Sequence, residues 1–131
     1  MIRIVALAVA LGLVLVLHLS GVIKSQNLSH PYWHIQATMI GAAIGVALTV
    51  GLCWLGGAAP RLARVLRWVA ILDLPVALGV TWWAAQTFIN AADYDPIAGK
   101  IWHLGYHAFV ALLVTVVATY LPRFAARGEG G

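Results

Sequence analysis

Polar positions are so sparse along this chain that its uninterrupted apolar runs define its elements. A helix crossing the hydrocarbon of a bilayer needs roughly 20 apolar residues. Four runs meet that length, at about 4–23, 34–56, 66–90 and 101–121. The joints "KSQNLSHPYW" and "NAADYDPIAGK" concentrate the Asn, Asp, Pro and Gly that break helices. The pattern predicts an all-α fold: an integral membrane four-helix bundle running up-down-up-down. It forms a single transmembrane domain over 1–131, with a disordered tail at about 127–131.

Composition agrees. Of 131 residues, 63% are hydrophobic and 9% charged, whereas a soluble domain carries about 25% charged residues. Mean hydropathy is +0.93, so the bilayer is the expected solvent and first partner. The opening "MIRIVALAVALGLVLVLHLSG" has the Arg and apolar stretch of a signal peptide. Its length exceeds the 7–15 residues of a signal core and no A-x-A site follows, so it reads as a retained first span. Cys53 is the single cysteine. Within one chain this excludes a disulfide framework, and Cys53 reads as a buried apolar filler.

The formal charge of +4 matters through its placement. Arg3, Arg61, Arg64, Arg67, Arg123 and Arg127 fall on one side of the predicted topology, and Lys24 and Lys100 on the other. Short loops rich in Lys and Arg stay in the cytoplasm. Both termini are therefore expected there, in the bacterial cytoplasmic (inner) membrane. The arginines stand singly, with no basic stripe interleaved with aromatics, so nucleic acid is not an expected partner. Tyr32, Trp33, Tyr94 and Trp102 outside, and Trp54, Trp68 and Tyr120 inside, are expected interfacial anchors.

In the second span Ala37, Gly41, Gly45 and Thr49 recur every fourth residue. Small residues on one face let membrane helices approach closely; clearance for a flat cofactor is a rarer use of such a stripe.

With this topology all five histidines fall in the outer half of the membrane or its outer loops. His18 lies roughly 8 Å and His107 roughly 9 Å inside the outer ends of the first and fourth spans, from the helical rise. Neighbouring helices at one depth make His18 and His107 the expected axial ligands of a b-type haem. His34 and His103 would form its surroundings or replace them. His103 and His107, four apart, share a helix face. With His34, or with His30 and Asp93 or Asp95, they would otherwise hold a bare copper, iron or zinc ion. The H-x-x-x-H spacing lacks the Glu of a zinc protease, since Leu-Gly-Tyr stands between the rings. The plainer alternative is that these rings only hydrogen-bond at the interface.

Asp73 is the one acid inside a span, roughly 10 Å from the inner end. It must be protonated or paired. It serves either a local hydrogen bond beside Pro75 or a proton relay, with a quinone pocket near Thr81, Gln86 and Thr87. Trp82 could pack on a macrocycle or anchor the interface.

"LVLHLSG", the Pro and Gly of "LDLPVALGVTW", and the Lys and His opening the fourth span resemble small bacterial four-helix membrane proteins of the copper-resistance-D-like kind. The "HPYWH" entry to the second span departs from that pattern. The resemblance implies a metal- or haem-handling role. The expected function is electron transfer between quinol and an outer-side redox partner. The rival is an accessory subunit of a larger respiratory or photosynthetic complex, or a homo-oligomer. A metal-ion transporter would want polar residues along the whole span, which the inner halves lack.

Overall fold

The computed structural model describes residues 1–128, with side-chain surroundings for residues 1–126; Glu129 to Gly131, most of the expected tail, lie outside the described residues. The chain is helical, with α1 Ile2–Leu19, a short α2 Val22–Ser25, α3 His34–Ala58, α4 Pro60–Asn90 and α5 Pro96–Gly128. Four of them, α1, α3, α4 and α5, are long and apolar enough to cross a membrane.

The element ends follow from capping chemistry. Gly21 adopts φ +79°, a left-handed conformation open to glycine, and so ends the first span before α2. The expected run to residue 23 is therefore broken at Leu19. α5 begins at Pro96, earlier than residue 101, because Asp95 caps it. The Asp95 Oδ1 accepts from the main-chain N–H of Ile97 at 3.0 Å and of Ala98 at 2.9 Å. Proline in first position loses no intrahelical bond. The same holds for Pro60, which opens α4 six residues before the expected start.

α5 is the hub. It packs on α1, α3 and α4, α3 also touches α1 and α4, and α1 and α4 do not meet. Across its apolar stretch 44% of residues are buried, against 11–17% in the other three. The core gathers Val14 of α1, Ala37 of α3 and Tyr106, Phe109, Val110 and Val114 of α5. A smaller cluster joins Ala84, Ala85 and Trp102.

The small-residue stripe of α3 lies buried along this hub: Ala37, Gly41, Gly45 and Thr49 all face inward. A Cβ on Gly41 would stand 2.8 Å from the Val110 Cβ, and one on Gly45 2.7 Å from both the Ala111 carbonyl oxygen and the Val114 Cβ. The stripe brings two backbones together, and α5 fills the space a flat cofactor would need. The Thr115 hydroxyl, whose hydrogen goes to the Ala111 carbonyl at 2.8 Å, also lies 3.3 Å from the Gly45 carbonyl across this contact.

Most expected anchors are exposed, among them Tyr32, Trp33, Trp54, Trp68 and Tyr94. Tyr120 is half-buried, and Trp102 is buried. It is 3% exposed, and its Nε1–H donates to the Leu28 carbonyl at 3.2 Å. A buried indole needs such an acceptor, and here it ties the α2–α3 loop to α5. Cys53 is half-buried rather than sealed.

Candidate functional site

The five histidines meet at one end of the molecule, on α1, α3, α5 and the loop before α3. They sort into two pairs and a loop residue. His18 and His34 stack with ring centroids 5.2 Å apart and planes 16° from parallel. His103 and His107 meet edge-on at 4.5 Å. His30 packs at 5.4 Å on Trp102 and at 5.7 Å on Tyr32.

Hydrogen bonding determines which ring nitrogen is free. A carbonyl oxygen can only accept, so the Nδ1–H of His34 donates to Pro31 at 2.8 Å, and that of His107 to His103 at 2.7 Å. By the same rule the Thr38 hydroxyl donates to the His34 carbonyl at 2.7 Å. Its single hydrogen is then spent. Thr38 Oγ1 must accept from the Tyr106 hydroxyl at 2.6 Å and from His18 Nδ1–H at 3.3 Å. His18, His34 and His107 therefore each carry a proton on Nδ1, and in the neutral ring this leaves the Nε2 lone pair for a ligand. His30 is the reverse: its Nδ1 accepts from the Tyr32 main-chain N–H at 3.3 Å. His103 makes no side-chain hydrogen bond among the described residues.

Two openings flank these rings. A cleft of about 590 Å³ is lined by His30, Trp33, Phe88, Tyr94, Lys100 and His103, among others. Gly99 lets the Phe88 ring come close against α5, since a Cβ there would stand 3.0 Å from it. Phe88 in turn meets Tyr94 at 5.8 Å and Trp102 at 5.6 Å, giving the cleft an aromatic wall. A smaller crevice of about 220 Å³ opens between α1 and α3, with His18 and Thr38 on an otherwise apolar lining.

The expected haem ligands have separate partners. His18 packs on His34 and Thr38, while His107 packs on His103. The α5 residue that reaches Thr38 beside His18 is Tyr106, one position before His107. Among the described residues no three His, Cys, Asp or Glu side chains come together as a metal-binding group. Asp93 and Asp95 remain in the loop, where Asp95 caps α5.

The expected quinone-pocket residues of α4 spend their hydrogen bonds within that helix. Thr81 donates to Ala77 at 2.6 Å and Thr87 to Trp83 at 2.9 Å, each within its own helix. Gln86 gives its carbonyl to Asn90 Nδ2 at 2.9 Å. Asp73 is exposed on α4, as are Trp82 and Trp83. Tyr106 and Thr38 were missed as site residues. Their signal was weak: a tyrosine beside a histidine, and a threonine four residues after one.

These features define an α-helical protein with four helices suited to crossing a membrane and a histidine-rich end. No protein-family model, curated protein or solved structure matches the chain.

Proposed function

We propose that the chain is a membrane electron-transfer subunit that receives a quinol at its histidine-bearing end. The cleft of His103 and His30 with Trp33, Phe88 and Tyr94 is the observation that carries this reading. A quinol ring is flat, apolar on its faces and polar at two edge hydroxyls. Aromatic walls suit the faces, and an imidazole, titrating near neutral pH, suits a hydroxyl that must lose its proton. His103 has nitrogens uncommitted to the protein, and Lys100 beside it favours the developing oxyanion. Oxidation of a quinol releases two protons and two electrons. His103 would take the first proton and outer-side water the second, and the two electrons would leave one at a time to a redox acceptor on a partner subunit. We read both termini as cytoplasmic from the Lys and Arg asymmetry, which sets the cleft at the outer interface of a bacterial inner membrane.

A b-type haem on His18 and His107 has one supporting feature, the Nε2 lone pair on each ring. It is the weaker reading, because the two rings stand with different partners and α5 fills the groove over Gly41 and Gly45. The test is the optical spectrum and organic extract of protein purified from native membranes. The expected result is no Soret band and about one quinone per chain. A Soret band lost in both His18→Ala and His107→Ala would transfer the function to haem.

A second reading, an accessory subunit of a larger respiratory or photosynthetic complex or a homo-oligomer, is supported by Asp73. It lies thirteen residues past Pro60, about 20 Å along α4, and is exposed there. A lone carboxyl facing lipid at mid-span costs about 2.5–3.5 kcal/mol. A partner's hydrogen-bond donor covering this face would remove that cost.

A further inference from the structure

The end of the molecule opposite the histidines holds a cavity of about 560 Å³, where α1, α3, α4 and α5 converge. Four guanidinium groups line it, from Arg3, Arg64, Arg67 and Arg123, and among the described residues no acid does. The acids among the described residues are Asp73 in mid-α4 and Asp93 and Asp95 in the far loop. Four like charges around one space repel one another unless an anion sits among them.

The arrangement is built by the fold. Arg67 reaches back across α3, its Nη2 donating to the Leu52 carbonyl at 3.5 Å. Gly56 makes room for it, since a Cβ there would stand 3.1 Å from that nitrogen. Arg123 is held over the Tyr120 ring at 5.7 Å. Pro60 opens α4 at the cavity, and no side chain caps the first turn of that helix. The positive end of that helix dipole adds to the potential. Apart from Thr119, the rest of the lining is small and apolar, including Gly57, Ala118 and Ala126. Guanidinium forks match phosphate oxygens two at a time. Basic pockets between membrane helices on the cytoplasmic side suit anionic headgroups.

We propose that this pocket binds the phosphate of an anionic phospholipid headgroup. The site is independent of the quinol cleft, which lies at the other end of the chain. Inorganic phosphate shares the chemistry, and the lipid is favoured because the pocket is formed by the ends of spanning helices and has apolar walls.

The experiment uses the full chain in detergent, titrated with phosphatidylglycerol or phosphatidylcholine and followed by native mass spectrometry. Phosphatidylglycerol is expected to fill one saturable site, with phosphatidylcholine at least tenfold weaker. Removing one arginine near a headgroup lowers affinity about fivefold. Arg64→Gln with Arg67→Gln should therefore lose tenfold or more. Arg61→Gln removes the same charge from the same end but lies outside the lining, and should bind within twofold of the parent. Arg123→Gln, expected to lose about fivefold, keeps the test decisive if the double variant does not fold. Equal binding of the two lipids, or an equal loss in Arg61→Gln, would overturn the proposal in favour of diffuse attraction. Displacement of the lipid by inorganic phosphate at the same concentration as the lipid would overturn the lipid as occupant.

Discussion

The hydroxyls of Thr38 and Tyr106, 68 positions apart in sequence, lie 2.6 Å from each other at the junction of α1, α3 and α5. Thr38 accepts from both Tyr106 and His18 while donating to the His34 carbonyl. One small side chain thus fixes the tautomer of an imidazole on another helix. Tyr106 is 1% exposed, so water cannot replace a missing partner.

Thr38→Val keeps the shape and removes the acceptor. It leaves the Tyr106 hydroxyl and the His18 Nδ1–H unpaired, at a cost of about 1–3 kcal/mol. Tyr106→Phe removes a donor whose loss leaves Thr38 bonded to His34, costing about 1 kcal/mol. Thermal unfolding in one detergent should rank the parent above Tyr106→Phe and Tyr106→Phe above Thr38→Val. The reverse order would contradict the hydrogen count.

The two helix-packing glycines give a contrast with a third. Gly45→Ala places a methyl 2.7 Å from the Ala111 carbonyl and the Val114 Cβ, and backbone cannot yield cheaply. Overpacking of this kind costs about 1–3 kcal/mol. Gly12 has open space around its would-be Cβ. Gly12→Ala should be neutral or gain up to about 1 kcal/mol from helix propensity. Calorimetric melts of the two variants check the sign of each.

Asp73 tests association. If a partner covers the outward face of α4, Asp73→Leu should leave the melting of the isolated chain unchanged. The same substitution should lower the fraction migrating with a larger complex on a native gel. Asp73→Asn, which retains hydrogen bonding, should keep it. An Asp73→Leu variant that associates as the parent does would remove the accessory reading. Unchanged activity in Asp73→Asn would end a relay role for that carboxyl.

What could be read from the sequence was whatever depends on position along a helix axis. The length of the apolar runs gave the four long helices, and a four-residue repeat of small side chains gave the buried face of α3. What could not be read was rotation about that axis. Adjacent helical residues point about 100° apart, so depth alone could not decide between Tyr106 and His107 as the group facing α1. Trp102 shows the same gap. Its place near a helix start suited an interfacial anchor, but its partner is a carbonyl 74 positions away. The early start of α5 was legible in principle, since "DP" is a helix cap followed by a first-turn proline as well as a turn signal.

The electron-transfer reading rests on the cleft beside His103, and its most direct measurement is a titration of purified protein with a short-chain quinone, followed by tryptophan fluorescence. Trp33 and Trp102 both neighbour the site. The expected result is saturable quenching that weakens about tenfold in His103→Ala, the worth of one hydrogen bond of about 1.4 kcal/mol. His34→Ala, stacked on His18 away from the cleft, should retain the parent affinity. Quenching that fails to saturate, or an equal affinity in His103→Ala, would contradict quinol binding at this site.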